Sequence, residues 1–124
     1  MLKRVHGGAA WLFVGAIIVQ VFLIGSAIPQ LGGSNDFSAH RDFGYSIVGL
    51  AALAVVVTAL VARAGRQAIG ISLGLMALYI VQTILPNLKG SIPVLAALHP
   101  VNAMILFGLA VWYARRAWRA ASAA

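Results

Sequence analysis

Four long apolar stretches leave this chain few ways to fold: "AAWLFVGAIIVQVFLIGSAI" over 9–28, "GYSIVGLAALAVVVTALVA" over 44–62, "AIGISLGLMALYIVQTIL" over 68–85 and "VNAMILFGLAVWYA" over 101–114, the last reaching back toward Ala96. Each approaches the roughly 20 residues that cross a bilayer core of about 30 Å. Lipid offers a backbone amide no partner outside its own segment, so such runs must be helices or closed barrels. Their lack of alternation selects helices. Composition agrees, with 62% hydrophobic and 9% charged residues, where soluble domains carry roughly a quarter charged. The expectation is an all-α membrane protein, a single four-transmembrane-helix bundle over residues 1–124 with helices at about 8–29, 39–63, 67–86 and 96–118.

The net charge of +7 would point to nucleic acid in a soluble protein. Here the basic residues gather at the ends of apolar segments, which speaks for membrane orientation and against nucleic acid. Seven of the nine, Lys3, Arg4, Arg63, Arg66, Arg115, Arg116 and Arg119, fall on one side. That side is expected to be cytoplasmic, with both termini inside a bacterial inner membrane and the arginines touching anionic lipid. Trp11, Trp112, Tyr113 and Trp118 are expected to form an aromatic belt at the same boundary. Lys3, Arg4 and "GSA" at 25–27 imitate a signal peptide, but cleavage would destroy the repeat described next, and an uncleaved first helix is expected. The absence of cysteine excludes disulfides, thiolate catalysis and cysteine-held metal.

Helices 1–2 and 3–4 read as two copies of one hairpin. "IVQ" stands at 18–20 and again at 80–82; a loop punctuated by Pro and Gly then leads to a histidine at the head of the next helix, in "HRDFGYSIVGLA" and "HPVNAMILFGLA". In both copies "GLA" begins nine residues after the histidine. Both hairpins run out and back, so the expected architecture is two pseudo-symmetric helical hairpins related by an axis along the membrane normal. His40 and His99 would then lie at equal depth near the outer face. At 3.6 residues per turn, Gly44, Ile47 and Ala51 share the face of His40, and Ala103, Leu106 and Ala110 that of His99. Each histidine thus stands above a small residue.

Neutral imidazole is a metal ligand. Two of them over Gly44 and Ala103 suit a flat macrocycle, and bis-histidine haem b is the expected cofactor, with His40 and His99 as the metal ligands. Arg41 is a candidate partner for a haem propionate, with Asp42 as its competitor; Asn102 is a candidate to orient a ligand or propionate. Gln20 and Gln82 are expected to bond across helices or reach the cofactor, and Phe43 and Tyr45 to pack on the macrocycle or anchor the interface. Against this stands a plainer reading in which Asp36 or Ser38 caps helix 2, Pro100 opens helix 4, and both histidines belong only to cap regions. His6 is expected to be a solvated terminal residue, and Gly49 and Gly108 to serve close helix packing.

The motifs "AHRDFG" and "LHPVNA" resemble those of a family of small, uncharacterised bacterial four-helix membrane proteins, over nearly the whole chain. More distantly the arrangement is similar to one half of haem A synthase, in which a four-helix unit holds haem between histidines at the outer ends of its second and fourth helices. That resemblance implies His40 and His99 as axial ligands. The chain has one such unit and no glutamate, with Phe37 and Ala96 three residues before the histidines, so the enzyme's oxidative chemistry has no counterpart. The expected function is therefore that of a small b-type cytochrome in electron transfer or haem handling, without catalytic residues, exchanging electrons with a quinone or a redox protein. The alternative is a cofactor-free membrane subunit or assembly factor, alone or as a homo-oligomer. A transporter ranks last, since no Asp, Glu, Lys or Arg lies mid-helix.

Overall fold

A computed structural model describes residues 1–123. Four helices dominate it: α1 (Leu2–Ala27), α2 (Ser38–Val61), α3 (Arg66–Ile84) and α4 (His99–Ser122), all within segments long and apolar enough to cross a membrane. Their ends follow local chemistry. Pro29 opens a 3-10 turn after α1, and Gly32, at φ +81°, turns the chain where a side chain would be strained. Outside the spans, the Asp36 carboxylate accepts the Ser38 N–H at 2.8 Å, which starts α2 and holds the Asp36 pKa below its ordinary value. Arg63 and Gly65, both at positive φ, close the short α2–α3 turn. Beyond α3, Leu85–Leu88 form a 3-10 turn, and Pro93–Ala96 a short helical turn that leads into α4. Pro100 sits in the first turn of α4, where its missing N–H costs nothing.

The helices form a closed square, each packed on its chain neighbours, with α1 returning against α4. The hairpins are antiparallel, since residue 6 of α1 meets residue 58 of α2 and residue 20 meets residue 40. The core is built from Phe13, Val14, Ile17, Val55, Leu75, Leu106 and Tyr113, with Ala10, Ala52, Ala110 and Ala114 between them. Small residues let the backbones approach, the usual source of cohesion where lipid is as apolar as the side chains. Gly7 is one such place: a Cβ there would stand 3.1 Å from the Trp118 ring and 3.3 Å from its Cα. Large apolar residues such as Leu12, Phe22, Leu50 and Met104 cover the outside, as contact with lipid requires.

Two local features depart from the sequence reading. Helix α1 begins at Leu2 and not near residue 8, which carries His6 into the bundle. Helix α2 contains a π-helical turn at Gly44–Val48. That turn spends one extra residue, so Val48 and not Ile47 points inward below His40. The inward residues Val48, Ala52, Val55 and Val56 fall one position later than Leu106, Ala110, Tyr113 and Ala114 after His99, while Ala51, at the same offset as Ala110, is buried as well. Equal spacing of "GLA" consequently hides unequal surroundings. Gly49 packs against Tyr79, whose Oη would lie 2.6 Å from a Cβ there, whereas Gly108 faces open space and serves no packing within the bundle.

Candidate functional site

At one end of the bundle the two histidines at the heads of α2 and α4 come together, their ring centres 6.5 Å apart and their planes 76° to one another. Each is held from the neighbouring helix by a glutamine that bonds both ring nitrogens. His40 Nδ1 bonds the Gln20 carbonyl at 3.0 Å, and the Gln20 side-chain amide bonds His40 Nε2 at 3.2 Å. His99 repeats the pattern with Gln82, at 3.1 and 3.2 Å. A carbonyl only accepts and an amide nitrogen only donates, so these partners assign the tautomer. Both histidines carry the proton on Nδ1 and present a lone pair at Nε2. Donating Nδ1–H to a backbone carbonyl while leaving Nε2 basic is how proteins commonly prepare a histidine for metal.

The two halves differ in what supports the glutamine. Asn102, buried at the start of α4, donates to Gln82 Oε1 at 2.7 Å and to the Leu78 carbonyl at 3.0 Å. Three residues after His40 the matching place holds Phe43, half-buried against the core. Gln20 Nε2 donates instead to the His40 carbonyl at 2.8 Å, and Gln20 Oε1 is buried with no hydrogen-bond partner. Gly44 makes room for this amide: a Cβ there would stand 2.7 Å from Gln20 Nε2. Ala103 is half-buried one turn below His99.

Arg41 is bound to Asp42 at 3.0 Å with both side chains about two-thirds exposed, at 64% and 68%. An ion pair so open is worth little and leaves the guanidinium ready to exchange partners. Tyr45 is exposed, its hydroxyl accepting from Asn87 at 3.4 Å. Tyr79, which the sequence reading passed over, donates its hydroxyl to the carbonyls of Gly44 and Tyr45 at 3.1 and 3.3 Å. The π turn disturbs the regular helical ladder at these carbonyls. Tyr79→Phe is expected to lower stability by about 1 kcal/mol and to speed hydrogen exchange at residues 44–49, read by mass spectrometry in detergent.

Only the separation of the rings matches a metal held between the imidazoles: two metal–nitrogen bonds of about 2 Å would place collinear ring centres on the order of 6 Å apart. What stands at the Nε2 lone pairs is the pair of glutamine amides, which must swing aside for any metal to bind. Among the described residues no group of three or more His, Cys, Asp or Glu side chains is placed to hold a metal ion.

The opposite end holds a second polar cluster, and here the sequence reading of His6 is corrected. His6 is only 3% exposed. Its Nδ1 bonds Thr58 Oγ1 at 2.9 Å and its Nε2 bonds the Tyr113 hydroxyl at 2.7 Å. Tyr113 also meets Ser72 Oγ and the Ala68 carbonyl, each at 3.0 Å. One side chain from each helix enters this network, with the Ala68 carbonyl added from α3. Tyr113 therefore belongs to the core and not to an aromatic belt, whereas Trp11, Trp112 and Trp118 are exposed. The available signal was a polar residue in each apolar run, with Thr58, Ser72 and Tyr113 near one depth, once α1 is extended to include His6.

The family model of DUF6220, a family of unknown function, matches residues 20–88, from the first glutamine through the first histidine and beyond the second glutamine. No curated protein and no solved structure matches the chain.

Proposed function

For a chain that belongs to DUF6220, a family of unknown function, we propose the role of a small b-type cytochrome of a bacterial inner membrane, holding one haem b between His40 and His99. The observation that carries this reading is the matched pair of Nδ1–H tautomers, each fixed by a glutamine carbonyl and each presenting Nε2. The unpartnered Gln20 Oε1 and the space kept by Gly44 support it further, since both let the Gln20 amide change position. Haem supplies a one-electron ferric–ferrous couple, with a potential set by the protein through ligation, hydrogen bonding and burial.

In this reading the residues of the chain orient and insulate. The Gln20 and Gln82 carbonyls fix the Nδ1–H tautomer and the orientation of both imidazoles, and Asn102 holds Gln82 in place. Arg41 could pair with a propionate in place of Asp42. His40 and His99 would both hold the iron, and a bound haem would supply one-electron transfer to a quinone or a redox protein. The hairpins are two pseudo-symmetric copies, and the basic end that carries both termini is cytoplasmic by the positive-inside rule. The test is the absorption spectrum of protein purified from haem-replete cells: low-spin, six-coordinate haem bands support the proposal, and colourless, correctly folded protein sinks it.

One observation favours a second reading, a cofactor-free subunit or assembly factor of a larger membrane complex. All four ring nitrogens of the two histidines already have partners within the chain. The Gln–His pairs would then act as clasps between helices, and a metal-free preparation would be fully stable.

A further inference from the structure

The basic end of the bundle contains a cavity of about 350 Å³ whose floor is the His6–Tyr113 pair and whose rim carries Lys3, Arg66 and Arg116. Its volume lies within the range of ligand pockets, about 300–1,000 Å³. We propose that this cavity binds a phosphate group.

Three cations from three different helices line it, and among the described residues no Asp or Glu side chain lies beside them. Both acidic residues of the chain, Asp36 and Asp42, lie at the opposite end, beside the histidine pair, and Asp42 is engaged by Arg41. A bound anion would neutralise the three cations. Arg116 is already oriented, donating to Gln67 and lying 5.7 Å from the Trp112 ring centre, with further guanidinium donors to offer. The wall between Arg66 and the floor is the start of α3. Gly65, at φ +93°, precedes it and no side chain caps it; the first backbone bond there runs from Ile69 N–H to the Gly65 carbonyl. The earlier amides of α3 add donors and a positive helix end to the same wall. His6 and Tyr113 complete it with neutral polar groups that are already satisfied by one another, so the charge recognised is that of the rim.

A phospholipid headgroup and free phosphate share this chemistry, and binding by the full-length chain in detergent separates them. Native mass spectrometry with phosphatidylglycerol or phosphatidylcholine reads the lipid, and calorimetry with inorganic phosphate reads the free ion. Arg66→Gln combined with Arg116→Gln is expected to weaken binding at least about tenfold. Arg63→Gln combined with Arg119→Gln, which removes equal charge outside the cavity, is expected to change it less than about twofold. Retention of phosphatidylglycerol with inert phosphate assigns the site to lipid; binding of inorganic phosphate assigns it to the free ion. Equal losses in the two double variants reveal only diffuse surface charge and overturn the proposal. So does the absence of both phosphate binding and any preference for phosphatidylglycerol over phosphatidylcholine. This inference stands apart from the histidine pair and survives the failure of the haem reading.

Discussion

Under the proposed haem reading, alanine at either His40 or His99 is expected to abolish the low-spin spectrum of the purified protein. One imidazole would be lost as a ligand, so the six-coordinate bands would go even if some haem remained. The support around each imidazole is expected to grade the effect. Asn102→Ala releases Gln82, the amide beside His99, and loss of such an outer partner weakens metal binding about 10–100-fold. Substitution of Arg41, which is exposed, is expected to cost less than either. Reduced-minus-oxidised difference spectra across these four variants supply the measurement. Under the clasp reading the order changes: the histidine variants lose about 1–2 kcal/mol of stability, and no variant alters any visible absorbance.

Tyr113→Phe is expected to lower the stability of the bundle by about 2 kcal/mol. The hydroxyl touches both α1, through His6, and α3, through Ser72 and the Ala68 carbonyl. A single hydrogen bond between membrane helices is worth about 0.6 kcal/mol on average and at most about 1.7. Its removal here also strands a buried ring nitrogen: the Tyr113 hydroxyl, whose one proton serves the Ala68 carbonyl or His6, is the partner of His6 Nε2. Leaving that nitrogen unpaired accounts for about 1–3 kcal/mol. His6→Ala is expected to cost more, because it removes two bonds and opens a cavity. Trp112→Phe, at a residue 47% exposed, is expected to stay within about 0.5 kcal/mol of the parent. Unfolding in mixed micelles, followed by helical circular dichroism, provides the comparison; a Tyr113→Phe protein as stable as the parent would show that the network contributes nothing.

The two polar ends of the bundle were unequally legible. His40 and His99 stand out because each follows a punctuated loop and opens an apolar helix, and the repeated "IVQ" marks the glutamines that the fold sets against them. Asn102 was noticeable as a polar residue in an apolar run, although its bond to Gln82 was not. Its absence from the first copy, where Phe43 stands, explains why Gln20 keeps a buried oxygen without a partner. His6 misled because charged neighbours, Lys3 and Arg4, suggested a solvated tail. Basic side chains extend from a helix into water while the backbone beneath them stays helical, so charge alone does not mark where α1 begins.

Backbone chemistry in lipid is a strong enough constraint that the apolar runs alone determined four helices, and short loops between them determined antiparallel hairpins. The sequence also determined which residues are polar at each end. Which of those polar residues touch was decided only in three dimensions. Register is the reason: the π turn at Gly44–Val48 adds one residue that no periodic count anticipates, and it turns Val48 inward in place of Ile47. Contacts such as His6 with Tyr113 join residues 107 positions apart. They depend on the depth and rotation of four packed helices together, which local pattern does not encode.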